Sequence, residues 1–322
     1  MDIPIVSVII PTYNSEKTIK KTIQSVLNQT FCNFEIIIIN DASTDSTLDI
    51  ISKINDFRIK LFTYSKAGAN ISRNRGLSHA IGKFISFLDA DDIWTCHKLQ
   101  SQVKALQDNP EAAVCYSWTD YIDENDKFVV TGTHITANGN VYDKLLLTNF
   151  LENGSNPLIR KEALIELGGF DESLNAGQDW DMWLRLAAKY NFIAVPKVQI
   201  LYRISSNSLS SNLARQEKAC LQVLEKAYQL KSSVNKNNFS ISLANLYKYL
   251  TCKALQKPYN RQKALAAVRF LFNYIRNEPQ KSQRLNFIVK LSLKIAVILL
   301  LPMSLSTLML DNGQDKDKMQ IC

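Results

Sequence analysis

Residues 5–41 read IVSVIIPTYNSEKTIKKTIQSVLNQTFCNFEIIIIND, and the pattern in this stretch indicates the fold class. Two short apolar runs, 5–10 and 34–39, each end in turn residues, which is typical of buried parallel strands. Apolar residues recur between them at helical spacing, and Asn14 or Ser15 is placed to cap the start of that helix. The segment therefore predicts a β-α-β unit, the repeating element of an α/β sheet.

The alternation of strand and helix patterns continues to about residue 205. We predict helices near 47–54, 71–80, 99–106 and 180–190, and strands near 59–62, 84–88, 113–118, 192–195 and 198–204. Ligands of such sheets bind at the carboxyl ends of the strands. The sequence has no Gly-x-Gly-x-x-Gly motif, and 76–83 lacks the spacing and hydroxyl residue of a P-loop. A Rossmann dehydrogenase and a P-loop NTPase are therefore both excluded.

The charge is distributed unevenly along the 322 residues, whose composition is otherwise that of an ordinary globular protein. Residues 1–214 carry 20 Lys and Arg against 24 Asp and Glu, whereas 215–294 carry 16 against three. This asymmetry predicts a second functional unit that faces an anionic partner, such as a membrane surface or nucleic acid. A solvated, Lys-rich helical surface is the alternative.

The C-terminal third is predicted to be helical, with three amphipathic helices after residue 213. The apolar segment 295–310 is interrupted by Pro302 and is shorter than the roughly 20 residues that a spanning helix needs. It is expected either to lie on anionic lipid or to pack on the protein as a helix or hairpin. We thus predict a domain at 1–212, with halves 1–112 and 113–212, a basic helical extension at 213–285 and an apolar tail at 286–322.

The six cysteines show no paired spacing, so neither a zinc site nor a disulfide framework is indicated. The first ten residues lack the basic region and cleavage site of a signal peptide and read as a strand. We therefore expect a cytoplasmic protein, peripheral on the inner face of the membrane if its tail binds lipid.

Aspartates follow two of the predicted strands directly. Asp41 comes after 34–39, and Asp89, Asp91 and Asp92 come after 84–88. Two carboxylates in one tight turn repel each other unless they share a cation. Such oxygen ligands suit Mg²⁺ or Mn²⁺, whose coordination is completed by substrate phosphates. The alternative is an acidic turn that only caps the following helix.

Six motifs occur in order between residue 5 and about residue 205. They are Pro11-Thr12-Tyr13-Asn14, Asn40-Asp41-Ala42-Ser43-Thr44-Asp45, Ser72-Arg73-Asn74-Arg75-Gly76, Phe87-Leu88-Asp89-Ala90-Asp91-Asp92, Gly168-Gly169-Phe170-Asp171, and Gln178-Asp179-Trp180-Asp181 before Trp183-Leu184-Arg185. Each motif is weak alone, but their order is highly specific, and with them the chain resembles the family 2 glycosyltransferases. The resemblance implies a GT-A fold, a mixed and mainly parallel sheet flanked by helices, followed here by a helical extension.

The resemblance also implies a binding site for a nucleotide sugar, with a UDP-sugar expected ahead of GDP- and dTDP-sugars. The residues that it assigns to this donor site are Pro11, Thr12, Tyr13, Asn14, Asp41, Ser43, Arg73, Asn74, Asp89, Ala90 and Asp91. Within that set, an aromatic face of Tyr13 could stack on the base. Asp41 and Arg73 are expected to contact the base and its surroundings. Asp91, with Asp89, is expected to hold Mg²⁺ or Mn²⁺ on the diphosphate.

Asp179 resembles the general base of an inverting enzyme, which removes the proton of an acceptor hydroxyl. The alternative is a carboxylate that only favours the helix dipole. Asp181 and Arg185, four residues apart, are predicted to form a structural helix pair. Trp180 could border the acceptor pocket or pack in the core.

The chain departs from the family pattern at two positions, Gln178 and Ser205, where the family commonly has Glu and often has His. A serine at the second position predicts weaker metal affinity or phosphate binding through hydroxyl groups. The three histidines, His79, His97 and His134, fall outside all six motifs and are expected at the surface or in helices.

The implied function is transfer of a sugar to a glycan, lipid-linked or protein acceptor. Two other function classes stay open. One is a sugar nucleotidyltransferase, although the glycine-rich basic loop expected after its first strand is not seen at 11–14. The other is a non-catalytic nucleotide-sugar or glycan-binding module, against which the retained Asp89, Asp91 and Asp179 argue. Nucleic-acid binding is a lesser alternative, because no recognised module accompanies the basic stretch.

Overall fold

The computed structural model describes residues 3–204, 212–230 and 236–312 of the chain. The chain divides into two compact units. The first unit comprises Met1–Tyr142 and Asn149–Ser208, and the second comprises Asp143–Thr148 and Leu209–Cys322.

The first unit is built on one mixed sheet, which has nine strands in the described part of the chain. These are β1 Val6–Thr12, β2 Phe34–Asp41, β3 Ile59–Tyr64, β4 Phe84–Phe87, β5 Ile93–Trp94, β6 Ala112–Ile122, β7 Phe128–Thr131, β8 Leu158–Arg160 and β9 Asn191–Arg203. Their order is β3-β2-β1-β4-β8-β6-β9-β5, and β7 pairs with β6. The first four strands in this order are mutually parallel, as are β6 and β9. The predicted mixed, mainly parallel sheet is confirmed.

Helices flank this sheet, as the β-α-β pattern predicts. They are α1 Ile19–Leu27, α2 Thr47–Ser52, α3 Ala69–His79, α4 Lys98–Asp108, α6 Lys161–Glu166 and α7 Gln178–Lys189, while α5 Tyr142–Leu147 begins at the boundary between the units. Strands β1 and β2 are buried almost throughout because helices cover both faces of a parallel sheet.

Two local predictions were wrong. The residue before α1 is Thr18, not Asn14 or Ser15, and its side chain makes no capping bond. Asn14 is unavailable as a cap because its Oδ1 accepts a hydrogen bond from the backbone N–H of Thr44, 2.8 Å away. The two predicted strands at 192–195 and 198–204 are one strand, β9, whose register shifts where it passes β6.

Gly76 allows α3 to pack directly on β1. A Cβ atom at this position would lie 2.3 Å from Cγ2 of Ile9, far inside contact distance. The close approach brings the preceding turn of α3, which carries Arg73, towards the carboxyl ends of the central strands.

The second unit is helical. Its long helices are α8 Leu213–Leu230, α9 Lys236–Ala254, α10 Arg261–Asn277, α11 Leu285–Leu300 and α12 Met303–Asn312. The predicted helical C-terminal region is confirmed, and the break at Pro302 separates α11 from α12. Among the residues described, no helix has both the length and the apolar character needed to cross a membrane.

Candidate active site

The predicted site residues of the first half of the chain meet at one edge of the sheet. Strand β1 pairs in parallel with both β2 and β4, so the carboxyl ends of all three strands lie side by side. Asp41 is the last residue of β2, and Asp89 and Asp91 follow β4. The sheet therefore brings residues of separate motifs together in one cluster.

Asp41 fixes the segment that leads into α3. Its two carboxylate oxygens accept hydrogen bonds from the backbone N–H groups of Ala67 and Gly68, both at 2.8 Å. The nearest guanidinium is that of Arg75, whose Nη1 lies 3.7 Å from Asp41 Oδ1. The expectation that Asp41 and Arg73 contact the base and its surroundings stays a prediction.

The loops after β1 and β2 are tied to each other. Asn14 donates its backbone N–H to Ser43 Oγ at 3.0 Å, and Ser43 donates its own backbone N–H to Asn40 Oδ1 at 3.1 Å. Tyr13 is 41% exposed, with Lys66 Nζ 3.7 Å from its ring centroid. An exposed aromatic ring with a nearby cation offers both stacking and charge to an anionic aromatic ligand.

Asn74 has contacts that the motif did not predict. Its Oδ1 accepts a hydrogen bond from the backbone N–H of Phe170 at 2.8 Å, and its Nδ2 donates to the Phe170 carbonyl at 2.9 Å. Gly169 has a φ of +73°, and a Cβ there would lie 2.6 Å from Asn74 Oδ1. Asn74 thus anchors the Gly168-Gly169-Phe170-Asp171 segment, and its role in donor binding stays a prediction.

Arg73 lies between the two carboxylates that matter most for the predicted chemistry. It is only 3% exposed, with Nη2 2.6 Å from Asp89 Oδ1 and Nη1 3.9 Å from Asp179 Oδ1. Burial opposes the charge of Arg73, but the two carboxylates outweigh it and raise the pKa of the guanidinium. Arg73 Nε, Arg73 Nη1 and Asp179 Oδ1 are buried and have no hydrogen-bond partner among the residues that the structure describes. Unpaired buried polar atoms are costly, so this group is suited to receive a polar ligand.

Asp179 is the second residue of α7, which follows Gly177 in a left-handed conformation. Gly154 approaches it so closely that a Cβ there would lie 3.0 Å from Asp179 Oδ1. Burial raises the pKa of Asp179 to about 6, with Arg73 lowering it and Asp89 raising it further. A carboxylate with this pKa is ionised near neutral pH and can still accept a proton.

The acidic turn after β4 is held by partners that sequence reasoning missed. Ser155 Oγ accepts from the backbone N–H of Asp89 and donates to Asp92 Oδ2. Arg203 donates its backbone N–H to Asp92 Oδ1 at 3.0 Å and its Nε to the Asp91 carbonyl at 2.8 Å. Arg203 lies two residues before Ser205, the position where the family often has His, and this was the one available signal; Ser155 had none.

The middle of the same turn is held by Thr18, just before α1, and by Thr22 within it. Thr18 Oγ1 and Thr22 Oγ1 donate to the carbonyl of Ala90 at 2.8 and 3.0 Å. The orientation of the Asp89 and Asp91 side chains is thus set from several sides.

Asp91 is the carboxylate best suited to a divalent cation. Burial, followed by the charge of Asp89, raises its pKa to about 6, while Arg203 opposes the shift. No cationic group of the described residues lies within 4 Å of the Asp91 carboxylate. Within residues 3–204, 212–230 and 236–312, no group of three or more His, Cys, Asp or Glu side chains could hold a metal alone. Mg²⁺ typically needs only one or two carboxylates besides substrate phosphates, so these residues fit it.

A second polar cluster lies on β6 and the loops beside it. The rings of Trp118 and His134 are stacked, with centroids 4.7 Å apart, and His134 Nε2 lies 2.8 Å from Asp120 Oδ1. Glu152 accepts the backbone N–H of Thr133 at 2.8 Å. Burial raises the pKa of Glu152 to about 7, and the charge of Asp120 adds to this effect.

This cluster has further marks of a functional surface. Trp118 Nε1 is buried and has no hydrogen-bond partner within residues 3–204, 212–230 and 236–312. His134 and Glu152 both adopt positive φ angles, 48° and 70°, which is uncommon for residues other than glycine. Glu152 precedes by two residues the glycine that touches Asp179, so the cluster borders the predicted base.

The expectation for the histidines holds for His79 and His97 but was wrong for His134. His79 ends α3, and His97 is exposed just before α4, whereas His134 is a half-buried loop residue. Sequence gave no signal for it, because its partners lie 14 or more residues away.

The remaining predictions concern α7 and β9. Arg185 Nε lies 2.8 Å from Asp181 Oδ2, which confirms the structural pair, and Arg185 also donates to the carbonyl of Gly169. Trp180 is only 8% exposed and belongs to the core. Ser205, where the family often has His, lies outside the described residues.

Comparison with known proteins identifies the family. The family model described as "Glycosyltransferase like family 2" matches residues 7–254. The Escherichia coli protein UDP-Glc:alpha-D-GlcNAc-diphosphoundecaprenol beta-1,3-glucosyltransferase WfgD is 34% identical over 228 residues, which cover 70% of this chain and 87% of that protein.

Solved structures resemble the chain over nearly its whole length. Residues 1–349 of S. aureus TarS, in complex with UDP, give a TM-score of 0.61 at 18% identity and cover 95% of this chain and 91% of that one. The mannosyltransferase PcManGT from Pyrobaculum calidifontis, in complex with GDP-Man and Mn²⁺, gives 0.59 at 19% identity and covers 98% and 89%. These similarities confirm the predicted GT-A-type fold.

Proposed function

The chain belongs to glycosyltransferase family 2, and we propose that it transfers a sugar from a UDP-sugar to the hydroxyl of a lipid-linked glycan with inversion at the anomeric carbon. The observation that carries the proposal is the Asp89-Arg73-Asp179 group, in which Arg73 is buried and polar atoms of Arg73 and Asp179 have no hydrogen-bond partner among the described residues. This arrangement supports the proposal of a nucleotide-binding edge next to a proton acceptor.

The choice of donor rests on the relatives. WfgD is named for UDP-Glc, and TarS was solved with UDP, whereas PcManGT was solved with GDP-Man. In this chain, Tyr13 would stack on the base, and the loops carrying Thr12 and Ser43 would enclose the nucleoside. Asp41 holds the backbone that borders this pocket.

The diphosphate would lie at the turn that carries Asp89 and Asp91. We assign Asp91, with Asp89, to hold Mg²⁺ or Mn²⁺, and PcManGT was solved with Mn²⁺. Such an ion, when bound, neutralises charge on the departing nucleoside diphosphate. Ser155 and Arg203 would keep the turn in the geometry that presents both carboxylates.

Asp179 would act as the general base. The acceptor hydroxyl gives its proton to the carboxylate as its oxygen bonds to the anomeric carbon. The bond from that carbon to the diphosphate oxygen breaks, and its electron pair leaves with the nucleoside diphosphate. One displacement of this kind inverts the anomeric configuration. Arg73 assists by keeping Asp179 ionised at neutral pH.

The acceptor would approach past the Trp118, His134 and Glu152 cluster. Aromatic faces and carboxylates are the groups that commonly bind sugar rings and their hydroxyls. The name of WfgD specifies a GlcNAc-diphosphoundecaprenol acceptor, which supports a lipid-linked acceptor here and a role in polysaccharide synthesis.

The test measures nucleoside diphosphate release from UDP-, GDP- and dTDP-sugars, with GlcNAc-diphosphate on a short lipid chain as acceptor. Wild type is compared with Asp91→Ala and Asp179→Asn, and with Asp108→Asn as a matched control from an exposed pair with Lys104. We expect UDP to be released from a UDP-sugar. This release should require Mg²⁺ or Mn²⁺ and both Asp91 and Asp179, but not Asp108.

Other results would favour the competing functions. Thermal stabilisation by a UDP-sugar without turnover by any preparation would point to a binding module. Pyrophosphate release from UTP and a sugar phosphate would indicate a nucleotidyltransferase. Absence of both binding and turnover with all donors would refute the proposal.

A further inference from the structure

Helix α11 is apolar on two opposite sides. Leu291, Ile295 and Ile298 are buried on one side. Leu285, Val289, Leu293 and Leu300 are 57%, 46%, 61% and 79% exposed. At about 100° per residue, these four share one sector of roughly 80° away from the buried side. A surface helix normally has polar residues there, and a helix that is apolar all round is normally covered.

Helix α10 adds a second exposed stripe in the same unit. Leu265, Val268 and Phe272 are 61%, 47% and 65% exposed and lie on one side of the helix. The opposite side, with Ala264, Ala267 and Tyr274, is buried. Tyr274 contacts Phe287 of α11 edge to face, with ring centroids 6.2 Å apart, so the two helices pack together. Clustered exposed apolar side chains mark an interaction surface.

Cations accompany these apolar residues. Arg261, Arg269 and Arg276 share the exposed side of α10, where Arg269 pairs with Glu217. Lys281 and Arg284 are exposed just before the first apolar residue of α11. Residues 215–294 as a whole contain 16 Lys and Arg against three acidic residues. The exposed side of each helix therefore has apolar residues with cations on it or next to it.

Only one class of partner complements both properties. A second copy of the chain would bring like charges together, and nucleic acid would match the cations but leave the Leu and Phe side chains exposed. The surface of an anionic bilayer offers phosphates at the headgroups and hydrocarbon just below them. Helix α11 has 16 residues, about 24 Å, against roughly 30 Å of hydrocarbon, which suits a helix lying along the surface.

We propose that the exposed side of α11 is a docking surface for an anionic lipid bilayer, with Leu285, Val289 and Leu293 entering the headgroup boundary and Lys281 and Arg284 just before them in the chain. The inference stands on the second unit alone and does not depend on the reaction proposed above. It refines the sequence expectation of lipid binding by the C-terminal region, because it names the side of α11 that faces the lipid.

The test is sedimentation of the full chain with phosphatidylcholine vesicles, with and without phosphatidylglycerol. One variant is Leu285→Ser/Val289→Ser/Leu293→Ser. Its matched control is Phe57→Ser/Ile81→Ser/Ile165→Ser, which removes apolar residues of similar exposure from the first unit. A third variant, Arg276→Gln/Lys281→Gln/Arg284→Gln, removes charge. Circular dichroism and sedimentation without vesicles check folding and association.

We expect the wild type and the Phe57 control to bind phosphatidylglycerol vesicles equally and to be released by salt. The apolar and charge variants should each bind about 100-fold more weakly, since each side chain contributes a factor of about five. Equal binding to both vesicle types would overturn the anionic preference, and full binding by the Leu285 variant would overturn the assigned surface. The proposal would be overturned if the wild type did not bind vesicles. It would also be overturned if the wild type were a dimer without vesicles and the Leu285 variant were not. None of these outcomes depends on sugar transfer.

Discussion

Replacing Arg73 with glutamine is expected to move the pH dependence of sugar transfer upwards. Arg73 Nη1 lies 3.9 Å from Asp179 Oδ1 and opposes the burial that raises the pKa of Asp179 to about 6. At that distance, and with an effective dielectric constant of about 20, the attraction is about 4 kcal/mol. One pKa unit corresponds to about 1.36 kcal/mol, so full loss would raise the pKa by about three units.

We expect the pKa of Asp179 to rise by about two units in practice, because water entering the space left by Arg73 would screen the carboxylates. The assay is kcat/KM for nucleoside diphosphate release as a function of pH. Its acid limb, which reports protonation of the base, should have its midpoint near 6 in the wild type and about two units higher in the variant. Activity lost at neutral pH should therefore return in part at alkaline pH.

Arg73→Lys is the matched control, since it keeps the positive charge and replaces the planar guanidinium whose Nη2 donates to Asp89. It should change KM for the donor but leave the acid limb within about half a unit of the wild type. Removal of the charge should also lower the free energy of unfolding by about 3 kcal/mol, measured by urea denaturation. An Arg73→Gln enzyme whose acid limb stays near 6 would refute the electrostatic role of Arg73 or the assignment of Asp179 as base.

Three further predictions concern single side chains. Asp91→Asn should raise the free energy of unfolding by about 1 to 2 kcal/mol at neutral pH, because the raised pKa of Asp91 means that its charge destabilises the fold. The same variant should reduce sugar transfer at least about 100-fold. A variant that keeps wild-type turnover would exclude Asp91 from metal binding. Gly169→Ala should lower the free energy of unfolding, measured by urea denaturation, by about 2 kcal/mol or more, since φ is +73° and the new Cβ would lie 2.6 Å from Asn74. Gly168→Ala, where φ is the same but the space around the new Cβ is open, should lower it by only about 1 kcal/mol. Equal losses would contradict the role of the contact with Asn74. The pKa of Glu152 is raised to about 7, so the folded state still holds this proton at pH values where the unfolded state has lost it. The free energy of unfolding of the wild type should therefore fall by about 2 kcal/mol as pH rises from about 4.5 to 7, and that of Glu152→Gln should not. Parallel curves of stability against pH for the two proteins would argue against the burial of the Glu152 charge.

Local patterns were enough to predict much of the fold. The β-α-β unit, the strands that precede Asp41 and Asp89, and the helix that begins near Asp179 all follow from short apolar runs and turn residues. These signals are local because a buried parallel strand needs a continuous apolar run and a helix needs apolar residues at every third or fourth position. The order of the six motifs then indicated the family.

Capping and register were less predictable because they depend on distant partners. Asn14 has the right residue type for a helix cap, but its side chain is bound to the loop after β2. The register shifts that join two predicted strands into β9 come from its pairing with β6. Neither partner is near in sequence, so neither effect could be seen in the local pattern.

The arrangement of the site belongs to the tertiary structure. The resemblance assigned Arg73 to the donor base and its surroundings and named no side chain as its partner, whereas the fold brings it to Asp89 and Asp179, 16 and 106 residues away. The support from Ser155, the stacking of Trp118 on His134 and the raised pKa of Glu152 likewise come from residues that are far apart in the chain. The exposed apolar side of α11 also required the structure, because a periodic pattern cannot tell which of two apolar sides a helix buries. Residue types and local periods are properties of the chain, whereas distance, burial and charge pairing exist only once distant segments have packed together.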